Sequence, residues 1–352
     1  MLLFSTGFIK KDLKMKTIRL EKPEHFTTLE TAFPSEPSAG EALVSVQKVG
    51  ICGTDLHAFR GRQPFFSYPR ILGHELGVEV MAIGSNVTQV KVGDHCAVEP
   101  YLNCGTCIAC RNGKSNCCES LQVLGVHVDG GMREQIIVPA HKLHRSDSLA
   151  LEQLALVETL GIGCHAVDRA QLSAQENILV IGAGPIGLSV IQFAQVKGVN
   201  ITLLEPNAQR AQFCQKHFNI SNTINKLDNI ETDLRNALGG DLPTVVFDAT
   251  GNVHSMHNAF SLVANGGRLT LVGIVLDDIT FKDPEFHRRE MTLLSSRNSL
   301  PENFKRIIHL METGEVDTNP WITHRATYDQ LINQFPSWLT PEAGVVKAML
   351  EF

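Results

Sequence analysis

The run ILVIGAGPIGLSVIQFAQVKG is the feature that most narrows the folds open to this chain. Gly182, Gly184 and Gly187 form G-A-G-P-I-G directly after a continuous apolar segment. A helix-compatible stretch follows, and a second apolar segment ends at Glu205, eighteen residues beyond Gly187. A lone G-x-G-x-x-G is weak, because glycine-rich turns are common; strand, turn, helix and second strand in succession give it force. The first glycine permits a tight turn, the second lets the backbone approach a pyrophosphate, and the third lets helix and strand pack closely. The helix N-terminus offers free N–H groups and a partial positive charge. Glu205 would accept hydrogen bonds from the adenosine ribose hydroxyls and repel a 2′-phosphate, so the expected cofactor is NAD rather than NADP.

The segments ILVIG, ITLLE, TVVFDAT, RLTLVG and MTLLSS are continuous apolar runs, and helix-like stretches separate the first of them. Strands buried on both faces by crossover helices have this pattern, so the region beyond about residue 160 reads as α/β, a doubly wound parallel sheet. Earlier in the chain, EALVSVQKVG, LGVEVMAIG, HCAVEPY and EQIIVPA are short runs broken by glycine and proline. They suggest an irregular antiparallel β domain. The tail, with a helical ENFKRIIHLMETG and a strand-like VVKAMLEF, could close the parallel domain or return to the first one.

Nine cysteines are present, six of them between Cys96 and Cys118. An odd number bunched in this way is a poor disulfide framework and a good metal-site candidate. Cys104, Cys107, Cys110 and Cys118 are spaced C-x2-C-x2-C-x7-C in a glycine-containing loop, and four thiolates so placed can close a tetrahedral shell around zinc. Cys117 competes with Cys118 for the fourth position. Such a closed site stabilises a lobe rather than catalyses. A second constellation is looser: Cys52 in G-I-C-G-T-D-L-H, His74 and Glu75 in G-H-E, and Glu158 after an apolar run. Cysteine, histidine and carboxylate suit zinc, and three protein ligands leave a position for water or substrate. A lone histidine after glycine is more often a surface or core residue. The force lies in the combination with the fingerprint, because an alcohol must lose a proton before it releases hydride, and a Lewis acid beside a nicotinamide assists that loss.

A formal net charge of −6 argues against nucleic-acid partners, which need a basic footprint. No apolar run reaches the roughly 18 residues that span a bilayer, so no membrane partner is expected. The leader MLLFSTGFIKKDLKMK starts apolar and turns basic, the reverse of a secretory signal, which points to the cytoplasm. Met15 opens a strand-like stretch, leaving residues 1–14 as a possible N-terminal extension.

Together these residues resemble the zinc-dependent medium-chain dehydrogenase/reductase family, over essentially Met15 to Phe352. The resemblance implies a GroES-like β-barrel catalytic domain over 1–159, to which 298–352 returns, and a Rossmann NAD-binding domain over 160–297. It implies two zincs per chain. Cys52, His74 and Glu158 fall on the catalytic ligands, with Glu75 beside them as an alternative or water-mediated ligand. Cys104, Cys107, Cys110 and Cys118 match the structural-zinc loop, which favours Cys118 over Cys117. Thr54 matches the hydroxyl that takes the substrate's proton, and His57 the group that passes it towards solvent through the cofactor ribose. Cofactor contacts carry over to Gly182, Gly184, Pro185, Ile186, Gly187, Glu205, Arg210, Thr250 and Arg297.

Glutamate rather than cysteine at the third zinc position marks the sorbitol-type polyol branch, although Cys164 lies nearby as a decoy. The longer stretches CGTDLHAFRGRQPFFSYPRILGHE, SNCCE, LGVHVDGG, DATGN, DPEFHRRE and SSRNS resemble bacterial sugar-acid dehydrogenases. The implied reaction oxidises a secondary hydroxyl of a polyhydroxylated small molecule, L-galactonate giving D-tagaturonate. L-gulonate, L-idonate, a free polyol or L-threonine are rival substrates. An aldonate carries a carboxylate, for which Arg297, Arg62 and His127 are candidate partners. Two departures fall near the site: Val78 stands where the family has glycine, with Gly77 one residue earlier, and Thr159 follows Glu158 where proline is common. The family forms dimers or tetramers, so a homo-oligomer is expected. A non-catalytic protein that keeps the fold and binds nucleotide or zinc is the rival of a different class, opposed by the joint presence of Cys52, Thr54, His57, His74 and Glu158.

Overall fold

The computed structural model describes residues 14–64 and 66–352. The suggested extension over 1–14 therefore lies outside the described residues except for Lys14, which begins the first strand. In the N-terminal part, β1 (Lys14–Lys22) and β2 (His25–Ala32) form a hairpin, followed by β3 (Glu41–Ile51), α1 (Gly53–Phe59), β4 (Glu75–Ile83), β5 (His95–Val98), β6 (Tyr101–Leu102), α2 (Ile108–Arg111), β7 (Gln122–Val123), β8 (Gln135–Pro139) and β9 (Leu143–Ser146). Two helices, α3 (Leu151–Ala155) and α4 (Val157–Ala170), lead to the parallel region. There β10 (Asn177–Ile181), α5 (Pro185–Val196), β11 (Asn200–Leu204), α6 (Ala208–Phe218), β12 (Asn222–Ile224), α7 (Ile230–Ala237), β13 (Val245–Asp248), α8 (Val253–Ala259), β14 (Arg268–Leu271), α9 (Asp283–Arg288) and β15 (Thr292–Ser295) alternate. The tail holds α10 (Pro301–Glu312), β16 (Ile322–Thr327), α11 (Tyr328–Gln334) and β17 (Lys347–Glu351).

The apolar runs beyond residue 160 build a six-stranded parallel sheet in the order β12-β11-β10-β13-β14-β15. Numbered within that sheet, this is the 3-2-1-4-5-6 order of a doubly wound dinucleotide fold, with its switch point between β10 and β13. Leu179, Val180, Val245, Val246 and Phe247 are fully buried, which explains why these strands read as unbroken apolar runs rather than alternating ones. The other large sheet has seven strands, with the path β16-β17-β3-β4-β5-β9 and β8 paired to β3. The two destinations open to the tail are thereby separated: α10 contributes Phe304, Ile307 and Ile308 to the core that α4 and α5 share, while β17 pairs antiparallel with β3. The anticipated boundary at 159/160 falls within α4, which runs unbroken from one region towards the other.

Glycine is needed at Gly77, because a Cβ there would lie 1.9 Å from the Leu151 carbonyl oxygen at the start of α3. Val78, in the position where glycine was expected, is buried in the second hydrophobic core. The strand ladder shifts register between Val46 and Lys48, opposite these two residues. The close approach has thus moved by one residue without breaking β4. Among the described residues, no helix is long and apolar enough to cross a membrane.

Candidate active site and metal centres

Cys52 directly follows β3 and forms the N-cap of α1, so its side chain sits where the sheet gives way to a helix. Asp55 Oδ2 accepts a hydrogen bond from the Cys52 backbone N–H at 2.9 Å, fixing that turn. Asp55 is buried, and its Oδ1 stands 3.8 Å from His74 Nδ1, beyond hydrogen-bond distance. His74 precedes β4 and Glu75 begins it. The ligand atoms of Cys52, His74 and Glu75 all lie within 4.8 Å of one another. Thr54 and His57 are three residues apart on α1, hence on one face, Thr54 half-buried and His57 exposed. Burial, then the charges of Arg60 and Arg62, holds the His57 imidazole below its usual pKa.

Glu75 pairs across the ladder with Gly50, where a Cβ would fall 2.1 Å from Glu75 Oε2. The bare glycine leaves room for the Glu75 carboxylate to reach β17. There it accepts hydrogen bonds from Lys347 Nζ at 2.6 and 2.8 Å, with both side chains buried. Burial opposes the Lys347 charge, but Glu75 and then Cys52 more than reverse this and raise its pKa.

Glu158 sits in the first turn of α4, where a carboxylate complements the helix dipole. Thr159, in the position where proline was expected, is buried inside that turn, so a helix start presents Glu158 rather than a loop. Glu158 lies outside the cluster of Cys52, His74 and Glu75, and its Oε1 accepts a hydrogen bond from the Tyr101 hydroxyl. Burial raises its pKa, opposed by the neighbouring His74 charge. Burial likewise opposes a charged His74, yet Asp55 and Cys52 hold its pKa well above the usual value. Asp55, Glu75 and Glu158 are buried carboxylates close to Cys52 and His74, and a cation relieves that excess of acids. Asp55 Oδ1 and His74 Nδ1 also lack hydrogen-bond partners among the described residues. The donor set fits zinc. Cys164 does not join it: that thiol is buried on α4 and receives hydrogen bonds from Arg306 at 2.7 Å and Asn303 at 3.5 Å.

The second centre is the loop around α2. The sulfurs of Cys104, Cys107, Cys110 and Cys118 lie within 4.8 Å of one another, with Cys118 buried and Cys117 left exposed outside the group. Tetrahedral zinc with Zn–S bonds of about 2.3 Å needs sulfurs roughly 3.8 Å apart, which this spacing accommodates. Backbone N–H groups of Thr106 and Cys107 each donate to Cys104 Sγ at 3.4 Å. Hydrogen bonds from Thr106 lead the effects that lower the Cys104 pKa to about 6, favouring the thiolate that metal binding requires.

The fingerprint turn joins β10 to α5. Gly182 has φ +95°, and a Cβ on Gly187 would lie 1.8 Å from the Gly182 carbonyl oxygen, so the third glycine allows the close approach expected of it. Gly184 is the N-cap of α5 and Pro185 and Ile186 open its first turn. The space a Cβ would take on Gly184 is open, with only Arg210 Nη1 near it at 4.0 Å. Glu205 is buried; its Oε2 accepts from Ala183 N at 2.7 Å and its Oε1 from Asn207 N at 2.8 Å, so it also braces the turn. Thr250 closes the switch point, its Oγ1 donating to Asp248 Oδ1 at 2.6 Å and its methyl facing Gly182. Arg297 follows β15, is exposed, and its carbonyl oxygen accepts from Asn116 Nδ2 at 2.8 Å.

Three buried residues of the site were missed in the sequence. Asp55 had a signal, an acid three residues after Cys52 at a helix start. Lys347 had one too, as the single charge in the middle of an apolar strand run. Tyr101 had none beyond its place in HCAVEPY.

Residues 38–148 match the alcohol dehydrogenase GroES-like domain, and residues 185–313 match the zinc-binding dehydrogenase model. The chain is 36% identical to L-galactonate-5-dehydrogenase of Escherichia coli K12 over 96% of this chain and 99% of that protein. It is 31% identical to 2-dehydro-3-deoxy-L-galactonate 5-dehydrogenase of Pseudoalteromonas atlantica, over 82% of this chain and 84% of that one. Among solved structures, the alcohol dehydrogenase RspB of Escherichia coli CFT073, complexed with NADH, superposes with a TM-score of 0.90 at 30% identity, covering 96% of this chain and 99% of the other. Two metal-ready centres, a 3-2-1-4-5-6 sheet with a glycine turn at its switch point, and full-length likeness to a dehydrogenase make the chain a member of the zinc-type medium-chain dehydrogenase family, oxidoreductases acting on CH–OH groups.

Proposed function

We propose that this enzyme oxidises a secondary hydroxyl of a sugar acid to a ketone with zinc and NAD, and that L-galactonate, giving D-tagaturonate, is its substrate. The observation that carries the chemistry is the half-buried Cys52 and buried His74 near Glu158, a carboxylate with no ion-pair partner among the described residues. Glu75 has Lys347; Glu158 has only a phenol. Cys52, His74 and Glu158 therefore hold the catalytic metal, with Glu75 as the reserve ligand beside it. Cys104, Cys107, Cys110 and Cys118 hold the structural one.

Zinc, when bound, would supply Lewis acidity towards the substrate hydroxyl, and bound NAD would supply the hydride acceptor. The fingerprint turn (Gly182, Gly184, Pro185, Ile186, Gly187) receives the pyrophosphate, Glu205 the adenosine ribose, and Arg210, Thr250 and Arg297 flank the dinucleotide. The Thr54 hydroxyl takes the substrate's proton and His57 passes it to solvent. Its depressed pKa biases His57 towards the neutral form, which can accept that proton.

Two donors, the neutral His127 ring and the Arg297 guanidinium, support a carboxylate-bearing substrate. The loop that carries His127 lies against the metal ligands, since Gly131 N donates to the Gly73 carbonyl oxygen at 2.9 Å. His127 Nδ1 accepts from Val123 N at 3.0 Å, which leaves the ring proton on Nε2, free to donate. Burial, then Arg297 and Arg70, lowers the His127 pKa, so those guanidiniums are its near neighbours. Arg70 is committed to Asp129, whereas Arg297 has no ion-pair partner among the described residues. Arg62 is exposed beside His57 and stands as the third candidate.

The chain is divided as 1–159 with 298–352, and 160–297, a reading that the β17–β3 pairing supports. Nine free thiols suit a reducing cytoplasm. The β15 edge of the parallel sheet, with Leu293, Ile274 and Leu276 exposed, supports a homo-oligomer in which a second copy covers it.

A panel of aldonates and polyols, read as NADH absorbance at saturating NAD, tests the reaction. L-galactonate is expected to give the highest kcat/KM; turnover of sorbitol with none of any aldonate overturns the substrate. Preference for L-gulonate, L-idonate or L-threonine replaces L-galactonate and leaves the chemistry standing. Metal content is expected at two zincs per chain, and one zinc with no loss on Cys52→Ala would support a non-catalytic protein.

A further inference from the structure

The segment between Glu99 and Cys104 connects the two metal centres. Glu99, Tyr101 and Asn103 alternate along it, and each carries a buried or half-buried polar contact. Lys142 Nζ donates to Glu99 Oε1 at 2.5 Å and to Asn103 Oδ1 at 2.9 Å, so one buried ammonium grips the chain on both sides of Tyr101. Glu99 is held again by His144 Nε2 at 3.1 Å. Asn103 Nδ2 in turn donates to Cys110 Sγ at 3.7 Å, and Cys104 follows as the first thiol of the four-cysteine loop. The Tyr101 ring is buried edge-on against Phe304, with centroids 6.4 Å apart and planes at 79°. Its hydroxyl donates to Glu158 Oε1, with the Ser299 side chain also close to it.

The geometry points to Tyr101 as a positioning residue for the catalytic metal: its O–H holds Glu158 Oε1, so that only the second carboxylate oxygen is free to turn towards Cys52 and His74. This rests on the assignment of Glu158 as the third ligand. The clamp explains why the structural loop sits where it does, because that loop and Lys142 fix the strand that carries the phenol. Without the hydroxyl, Glu158 can bind through both oxygens or swing towards the Lys347 charge, and either changes the number of donors at the metal. Outer-shell partners of this kind typically govern metal affinity by ten- to a hundredfold.

Tyr101→Phe keeps the ring and its packing and removes only the donor. Chelator competition on the zinc-loaded enzyme is expected to show the catalytic zinc held about ten- to a hundredfold more weakly, with the structural zinc retained. Cobalt substituted at the catalytic site is expected to show an altered visible band in Tyr101→Phe, since that band follows coordination number and geometry. Thermal unfolding monitors folding, and a Tm close to that of the parent separates positioning from collapse. Glu158→Ala, measured alongside, tests the ligand assignment. If Glu158→Ala loses the zinc while Tyr101→Phe keeps parental affinity and an unchanged cobalt spectrum, the positioning role is overturned. If Glu158→Ala itself keeps full affinity, the ligand assignment fails instead.

Discussion

Lys347→Met tests whether the buried ammonium on β17 is there to neutralise Glu75. The pair is sealed from water, the two side chains being 1% and 0% exposed, and it is close at 2.6 Å. Removing one partner of such a pair strands the other as an uncompensated buried charge, which typically costs about 3–5 kcal/mol. At about 2–4 °C per kcal/mol for domains of this scale, Tm should fall by roughly 10 °C. Replacing both partners by apolar residues of similar volume is often neutral or stabilising, so Glu75→Met/Lys347→Met should recover most of the loss. Zinc supplies a second arm. In the single variant Glu75 has no cation of its own and turns to the metal, so saturating zinc should restore part of the Tm that chelation removes. Differential scanning calorimetry on the parent, the two single variants and the double variant, with and without zinc, reads all of this. A double variant as unstable as Lys347→Met would refute the reasoning, since the lysine would then matter through packing rather than charge.

The depressed His57 pKa fixes the sign of a pH effect: protonation sets in at lower pH than for an ordinary histidine, so the acid limb of kcat/KM should be displaced to lower pH. Arg62→Gln removes one cause of the depression and should move that limb upward; a limb that lies above the ordinary histidine pKa and ignores Arg62 would contradict the relay. Cys118→Ser should reduce zinc from two per chain to one and lower Tm more than intrinsic turnover, whereas full loss of turnover in a stably folded variant would remove the structural assignment. Glu205→Ala should weaken the preference for NAD over NADP. It should also lower stability by a further 1–3 kcal/mol or so, because Ala183 N loses its buried acceptor. Equal use of both cofactors by the parent enzyme would contradict the ribose role.

What could be read in the sequence was whatever is encoded within a few residues. The glycine turn, the four-cysteine loop and the strand runs of the parallel sheet declare themselves through short spacing and periodicity, and the fold carries each where its pattern implied. Even the choice of Cys118 over Cys117, which spacing left open, needed only the local loop geometry. Residues whose meaning depends on distant partners were different. Glu75 reads as a second acid beside a histidine until Lys347, 272 residues away, is seen holding it. Glu158 reads as a plain ligand until Tyr101 is found on its other oxygen. A buried charge cannot be interpreted from its own neighbours in the chain, because its protonation and availability are set by whatever the fold brings opposite.

If Glu158 is the third ligand, as proposed, that dependence gives a physical reason why it and not Glu75 takes the metal. Glu75 and Glu158 are both buried and both near His74. A pocket built only from them and Cys52 would carry surplus negative charge and two competing ligand sets. Lys347 removes Glu75 from the competition by matching its charge, and Tyr101, a neutral donor, orders Glu158 without matching its charge. On the proposed assignment, the cation that Glu158 lacks is the catalytic metal. Exchanging the two kinds of partner, a cation opposite Glu158 and a phenol opposite Glu75, would move the metal to the other carboxylate with little change in the backbone.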